Sequence, residues 1–369
     1  MEDGSEMDND SESNDAVEII DDSMHSFEGH SAGIYAVAWH PIETDLVATG
    51  GADDICYLWH VGQDAYERTH GAVVMLEGHT DTITAMSFNA DGTFLASAGM
   101  DGVVRIWDVG QGTCKQALEG PADAIEWVCW HPRGNIVLAG SADFTAWMWL
   151  AETGNCMQVF SGHSGPLTCG GFTPDGKTVV TGGGEGDVSL RVWDPRSGEC
   201  KVHVQGEHFH VGGLTCLAFN RDSTIVLTGS EDGSAKLVSI ESGRVIASFE
   251  GHDEGCSIEA VHFVPSLSVI ATAGLDGKLI IWDINTRSQR AICQHPEGIT
   301  RMVAHPSEPI LCAGCIDGSV WCWDARTGAC ISTFNGHKEA VQDLKMNHNG
   351  TMVLSGSEDC SAKVFTLAS

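Results

Sequence analysis

An aspartate followed six residues later by a large apolar residue, usually tryptophan, recurs along the whole chain. The aspartates are Asp53, Asp101, Asp143, Asp187, Asp232, Asp276, Asp317 and Asp359, spaced 48, 42, 44, 45, 44, 41 and 42 residues apart. The partners are Trp59, Trp107, Trp149, Trp193, Val238, Trp282, Trp323 and Phe365. Eight copies in register leave little room for anything but a repeat architecture. The clearest unit is residues 76–108, LEGHTDTITAMSFNADGTFLASAGMDGVVRIWD. Its apolar runs Ile83–Phe88 and Phe94–Ala98 are each followed by an Asp-Gly turn, and a third run ends at Trp107. Short strands with such turns read as an antiparallel meander. A lone meander cannot bury both of its faces, so each unit needs its neighbours.

The period and the marks Gly78-His79 and Trp107-Asp108 resemble WD-repeat blades of four strands. The resemblance covers residues 25–369 and implies an all-β, eight-bladed WD-repeat propeller. In such blades the GH histidine, a Ser/Thr on the second strand, the turn aspartate and the tryptophan form a hydrogen-bonded chain, since a buried Asp or His tolerates burial only when paired. Thr49, Ser97 and Thr272 stand ten residues before their tryptophans, with His30, His79 and His252 available, so blades 1, 2 and 6 should hold full sets. In blade 3, Pro121 replaces the histidine and Ala139 the hydroxyl, so Asp143 needs another partner. The eight aspartates are read as scaffold. The insertion Gly182–Asp187 should bulge the blade 4 turn. The chain ends after a third strand, and Met24–Glu28 looks like the missing fourth, which would close blade 8 and remove a free edge.

Residues 1–22 contain ten Asp or Glu and no Lys or Arg, the pattern of a disordered acidic tail ahead of a propeller spanning 23–369. Of the formal net charge of −32, that tail supplies −10 and the body the rest. A body this acidic repels nucleic acid and attracts basic protein segments. No apolar stretch approaches the ~20 residues of a membrane span. The amino terminus lacks the basic-plus-apolar pattern of a signal peptide. The 14 cysteines read as reduced thiols. The expectation is a cytoplasmic monomer, open to the nucleus as well, without a cofactor or bound metal. Cys312 and Cys315 have C-x-x-C spacing but lie across a strand end and its turn, no second pair accompanies them, and of His208 and His210 the latter fits the GH-histidine slot, so no metal site is expected. No phosphate loop or nucleophile elbow is present, and paired carboxylates occur only as copies of one repeated position, so no enzyme is expected.

Longer stretches narrow the resemblance. IEWVCWHPR (125–133), LAGSAD (138–143), WMW (147–149), LTGSEDGSAKLVS (227–239), CQH (293–295), WDARTG (323–328) and SAKVF (361–365) are similar to the family of angio-associated migratory cell protein. That resemblance implies a non-catalytic binding protein. The family includes a fungal chaperone that holds the basic N-terminus of a newly made large-subunit ribosomal protein on an acidic propeller face. Its animal members are linked to cell migration and signalling, which leaves an adaptor role as the alternative. Two positions per blade should point to the binding face. The residue before the turn aspartate gives Met100, Glu231, Leu275, Ile316 and Glu358 among smaller residues; the start of the first strand gives Tyr35, Glu126 and Glu259 among threonines and Gln342. Four carboxylates with apolar neighbours, and no Lys or Arg expected on this face, suit a peptide rich in Arg or Lys.

Overall fold

The computed structural model describes residues 20–62 and 73–367. Its strands form eight four-stranded antiparallel sheets, each a blade, with their first strands beginning at Ile34, Ile83, Ile125, Leu167, Leu214, Ile258, Ile299 and Val341. Second strands such as Leu46–Gly51, Phe94–Gly99 and Val269–Gly274 are buried at every position. They are covered on both faces, so they are apolar or small throughout rather than alternating. Fourth strands such as Thr113–Leu118 lie at the rim and are mostly exposed. The core is divided into eight clusters, one per seam between neighbouring blades. Blades 1 and 2, for example, share Cys56, Leu58, Leu76, Ile83, Leu95 and Trp107.

Ring closure follows the expectation. His25–Phe27 pairs with Ala362–Val364 and completes blade 8 as its fourth strand. Phe27 is buried and stacks on Trp59 of blade 1, with centroids 5.0 Å apart. Just upstream, Asp21 meets the buried Lys363 at 2.6 Å, and the Asp22 N–H donates to the Asn335 carbonyl at 2.9 Å. Asp21 and Asp22 of the stretch read as tail are therefore attached to blades 7 and 8, while residues 1–19 lie outside the described residues. Because this strand joins the first blade to the last, Phe27→Ala should lower unfolding free energy by about 3–5 kcal/mol. Deleting residues 24–28 should cost more. A denaturant midpoint unchanged by either would show that the ring closes some other way.

The hydrogen-bonded chains form in blades 1, 2 and 6 as expected. In blade 2, His79 bridges Asp101 (2.9 Å) and Ser97 (2.7 Å), and Trp107 Nε1 donates to Ser97 (2.8 Å). Blade 4 also carries a full set, which the ten-residue spacing overlooks. His163 bonds Asp187 and Thr181, and Trp193 donates to Thr181 at 2.8 Å. The inserted turn puts Trp193 12 positions after Thr181. In blade 3, Asp143 finds substitutes in the Ala122 N–H (2.8 Å) and Thr145 (2.5 Å). The Trp149 Nε1 of that blade is buried without a partner. In blade 7, His295 turns to Cys315 and Trp323 instead of the turn aspartate, and Asp317 bonds Ser319.

Burial holds His163 and His295 down to a pKa of about 4, in His163 against the opposing pull of Asp187. Both are neutral in the fold and become charged in the unfolded chain below pH ~6.5. Their contribution to stability is therefore complete above that pH and is lost as pH falls towards 4. Two such groups give a slope of up to about 3 kcal/mol per pH unit in this window. Urea unfolding at pH 7 and pH 5 should show stability falling by several kcal/mol; equal stabilities would contradict neutral buried histidines.

Candidate functional site: an acidic channel mouth

Antiparallel order places the loops between second and third strands at the same end of the ring as the loops leading into first strands. At this end, among the described residues, the loops contain Lys338 and no arginine, and Lys278, which opens a third strand there, is paired with Asp253 at 2.5 Å. The opposite loops carry Arg133, Lys177, Arg196, Arg221, Arg244, Arg287 and Arg326. Beyond the turn aspartates, exposed Asp81, Asp123, Glu185, Glu231, Asp253 and Glu358 lie on the cation-poor end. Charge is thus polarised along the ring axis, a feature that two positions per blade could not reveal.

The first strands line a central channel of about 430 Å³ that includes Tyr35, Thr84, Glu126, Thr168, Thr215 and Glu259. At its acidic end is a mouth of about 320 Å³ bounded by Tyr35, Ala52, Thr82, Thr84, Met100, Glu126, Arg301 and Gln342. The channel threonines have a structural task. Thr84 Oγ1 donates to the Ile125 carbonyl of the next blade (2.5 Å), and Thr300 to that of Val341 (2.5 Å). Thr168 and Thr215 bridge in the same way to Leu214 and Ile258. The other four seams have Tyr35, Glu126, Glu259 or Gln342 at this position and lack the bridge. At one of them Trp127 Nε1 donates to the Leu167 carbonyl (2.9 Å), and at the closing seam Asp343 accepts from the Val37 N–H (3.0 Å). The residues expected to bind are those relieved of the seam bond.

Glu126 and Glu259 have no hydrogen-bond or ion-pair partner among the described residues. Glu126 is exposed to the lumen yet crowded by the channel wall, and this desolvation, followed by the charge of Asp123, raises its carboxyl above the usual range. Glu358 accepts from Gln342 (2.7 Å), and Glu231 from the Gly213 N–H (3.2 Å), which fixes both at the rim. Met100, Leu275 and Ile316 are 51%, 43% and 44% exposed, so the rim offers apolar contact between its charges.

One expectation needs correction, because the mouth is not free of cations. Arg301 lines both mouth and channel, and Lys345 lies deeper, paired with Asp343 at 2.8 Å. Every first strand has a register shift after its opening residue, here between Ile299 and Arg301. A bulge turns successive side chains toward one side, so Arg301 enters the lumen alongside Thr300. Counting one position per blade skips it. With Glu126 and Glu259 unpaired and cations scarce, the end remains negative and suited to a basic segment.

Comparisons with known proteins agree with this architecture. A family model described as the IFT122 first β-propeller matches residues 64–324, and the WD domain, G-beta repeat model matches 21–60 and 328–366. Human angio-associated migratory cell protein is 34% identical over 95% of this chain and 81% of its own. A WD repeat-containing protein of Schizosaccharomyces pombe is 31% identical over 96% of this chain and 89% of its own. Among solved structures, Sqt1 from Chaetomium thermophilum superposes with a TM-score of 0.84 at 23% identity, covering 95% of this chain and 100% of that one. The same protein bound to the N-terminus of the ribosomal protein L10 gives 0.83 at 24% identity, covering 94% and 100%. At that identity the likeness shows the fold. The extent of the match to the human relative shows more: the chain belongs to the WD-repeat family of angio-associated migratory cell protein.

Proposed function

We propose that this chain is a non-catalytic chaperone that holds the basic N-terminal segment of a newly made large-subunit ribosomal protein, L10, across the acidic channel mouth. The observation that carries the reading is the pair of unpartnered carboxylates, Glu126 and Glu259, at the cation-poor end of the ring. The Sqt1 structure bound to the L10 N-terminus shares the fold and supports this choice of partner. A basic segment is attracted to the end whose described loops hold one cation, Lys338, and its guanidinium groups can make charge-assisted bonds to the carboxylates. Holding the segment keeps a cationic chain from nucleic acid and from aggregation in the cytoplasm until assembly. A monomer suffices, since the mouth is formed within one ring.

The alternative is an adaptor in cell migration, suggested by the name of the human relative. Co-purification of the tagged full chain at about 50 mM and 500 mM salt separates the two. The chaperone reading expects one dominant partner, L10, retained at low salt and released at high salt, because electrostatic capture weakens as the Debye length shrinks. Several salt-resistant partners, with L10 absent, would favour the adaptor.

A further inference from the structure

Blade 3 departs from its sister blades at several positions, one of them in the channel and one in a turn at the acidic end. It has lost the histidine and hydroxyl of the shared hydrogen-bonded chain, which leaves Trp149 Nε1 buried without a partner. At its channel position Glu126 replaces the seam-bridging threonine. The third departure is Phe144, in the turn just after Asp143. It adopts φ 74°, where Gly102, Gly233, Gly277 and Gly318 make the same turn at φ 71–82°. The left-handed region is unfavourable for a residue with a Cβ and is a true outlier for a bulky one. Phe144 is also 41% exposed, on the acidic end of the ring. Glycine serves the turn in those four blades, and where blades 1 and 8 depart from it they use the smaller, polar or weakly polar Asp54 (φ 64°) and Cys360 (φ 65°), so Phe144 is the one bulky apolar side chain at this position among the described residues. Strain and apolar exposure at one position of a binding rim therefore point to something outside the fold.

Resting on the reading of the mouth given above, we infer that Phe144 is a contact residue for the bound basic chain, the flat apolar surface on which one arginine lays its stem and guanidinium plane. The same blade supplies Asp123 and Glu126 for the charge. An aromatic face beside carboxylates selects arginine over lysine, because a guanidinium stacks as well as pairs. The partner is thereby specified as a segment with arginine where it crosses blade 3.

The test uses the full chain and a fluorescein-labelled peptide of the L10 N-terminal segment. Phe144→Gly should weaken binding about five- to tenfold. It should leave the salt dependence unchanged, since no charge is removed, and the melting temperature at or above wild type. Val211→Gly, an 84% exposed apolar position on blade 5 of the same end, should bind as wild type does. A peptide with lysine for arginine should lose affinity for wild type but not for Phe144→Gly. Equal binding by wild type and Phe144→Gly overturns the assignment, as does a lower melting temperature, which would show that Phe144 serves the fold. A wild type that fails to bind the peptide refutes the reading of the mouth and this assignment with it.

Discussion

Changing Glu126 and Glu259 together to lysine should reduce affinity for the L10 N-terminal peptide at least a hundredfold at low salt, a loss of about 3 kcal/mol or more. Both carboxylates face the lumen and neither has a partner in the free protein, so a bound cation finds them fully available. Confinement in the channel strengthens such pairs beyond the ~0–1 kcal/mol of an exposed one. Reversal also places two positive charges beside Arg301, which the peptide must then approach. Stability should be almost unaffected, because these two positions carry no bond across a seam. Thr215→Val is the complementary change: it removes the bridge to Ile258 and should lower stability while sparing affinity. The raised carboxyl of Glu126 adds a pH signature. Cation binding requires its ionised form, so affinity should fall on acidification, beginning at a higher pH than an ordinary glutamate would give. Titration of binding by fluorescence anisotropy from pH 7.5 to 5 reads this directly.

The second large effect concerns the seam between blades 3 and 4. Trp127 stands where other blades have residues such as Ala36, Ala85 or Ala260, and its indole fills the space over two glycines. A Cβ on Gly170 would lie 2.2 Å from the indole, and one on Gly140 2.3 Å. The indole is rigid and its Nε1 is bonded to the Leu167 carbonyl, so it cannot yield. Gly170→Val should therefore destabilise by roughly 3 kcal/mol or more through overpacking. Trp127→Ala should cost about 3–5 kcal/mol through the cavity and the lost bond. Combined, the two changes should cost less than their sum, since the valine fills part of the vacated space. Additive losses in a denaturant-melting double-mutant cycle would contradict the fit described.

Much of this architecture is written in the sequence, for identifiable reasons. The turn aspartate marks every blade and the tryptophan six of the eight, because in most blades the buried carboxylate keeps the same partners, and this periodicity yields eight blades and the closing strand at His25–Phe27. Blade 4 hid its complete bonded set because the insertion after Gly183 changed the spacing between Thr181 and Trp193 without moving them apart in space. Arg301 escaped notice because a bulge, invisible to residue counting, brings two successive side chains into the channel. The division of the channel ring into bridging threonines and free residues depends on contacts across seams, which a single unit does not show. Phe144 left a trace, a phenylalanine in place of turn glycine, but its meaning emerges only once its φ angle and exposure are known.

The central claim is that the cation-poor end of the ring, centred on Glu126 and Glu259, receives a basic chain. Site-specific photo-crosslinking tests it most directly, with a photoreactive residue replacing Met100 at the mouth or, separately, Arg196 at the opposite end. The account expects the L10 N-terminal peptide to crosslink at position 100 and not at 196, with the yield falling as salt rises. Crosslinking at 196 alone, or equally at both, would contradict it.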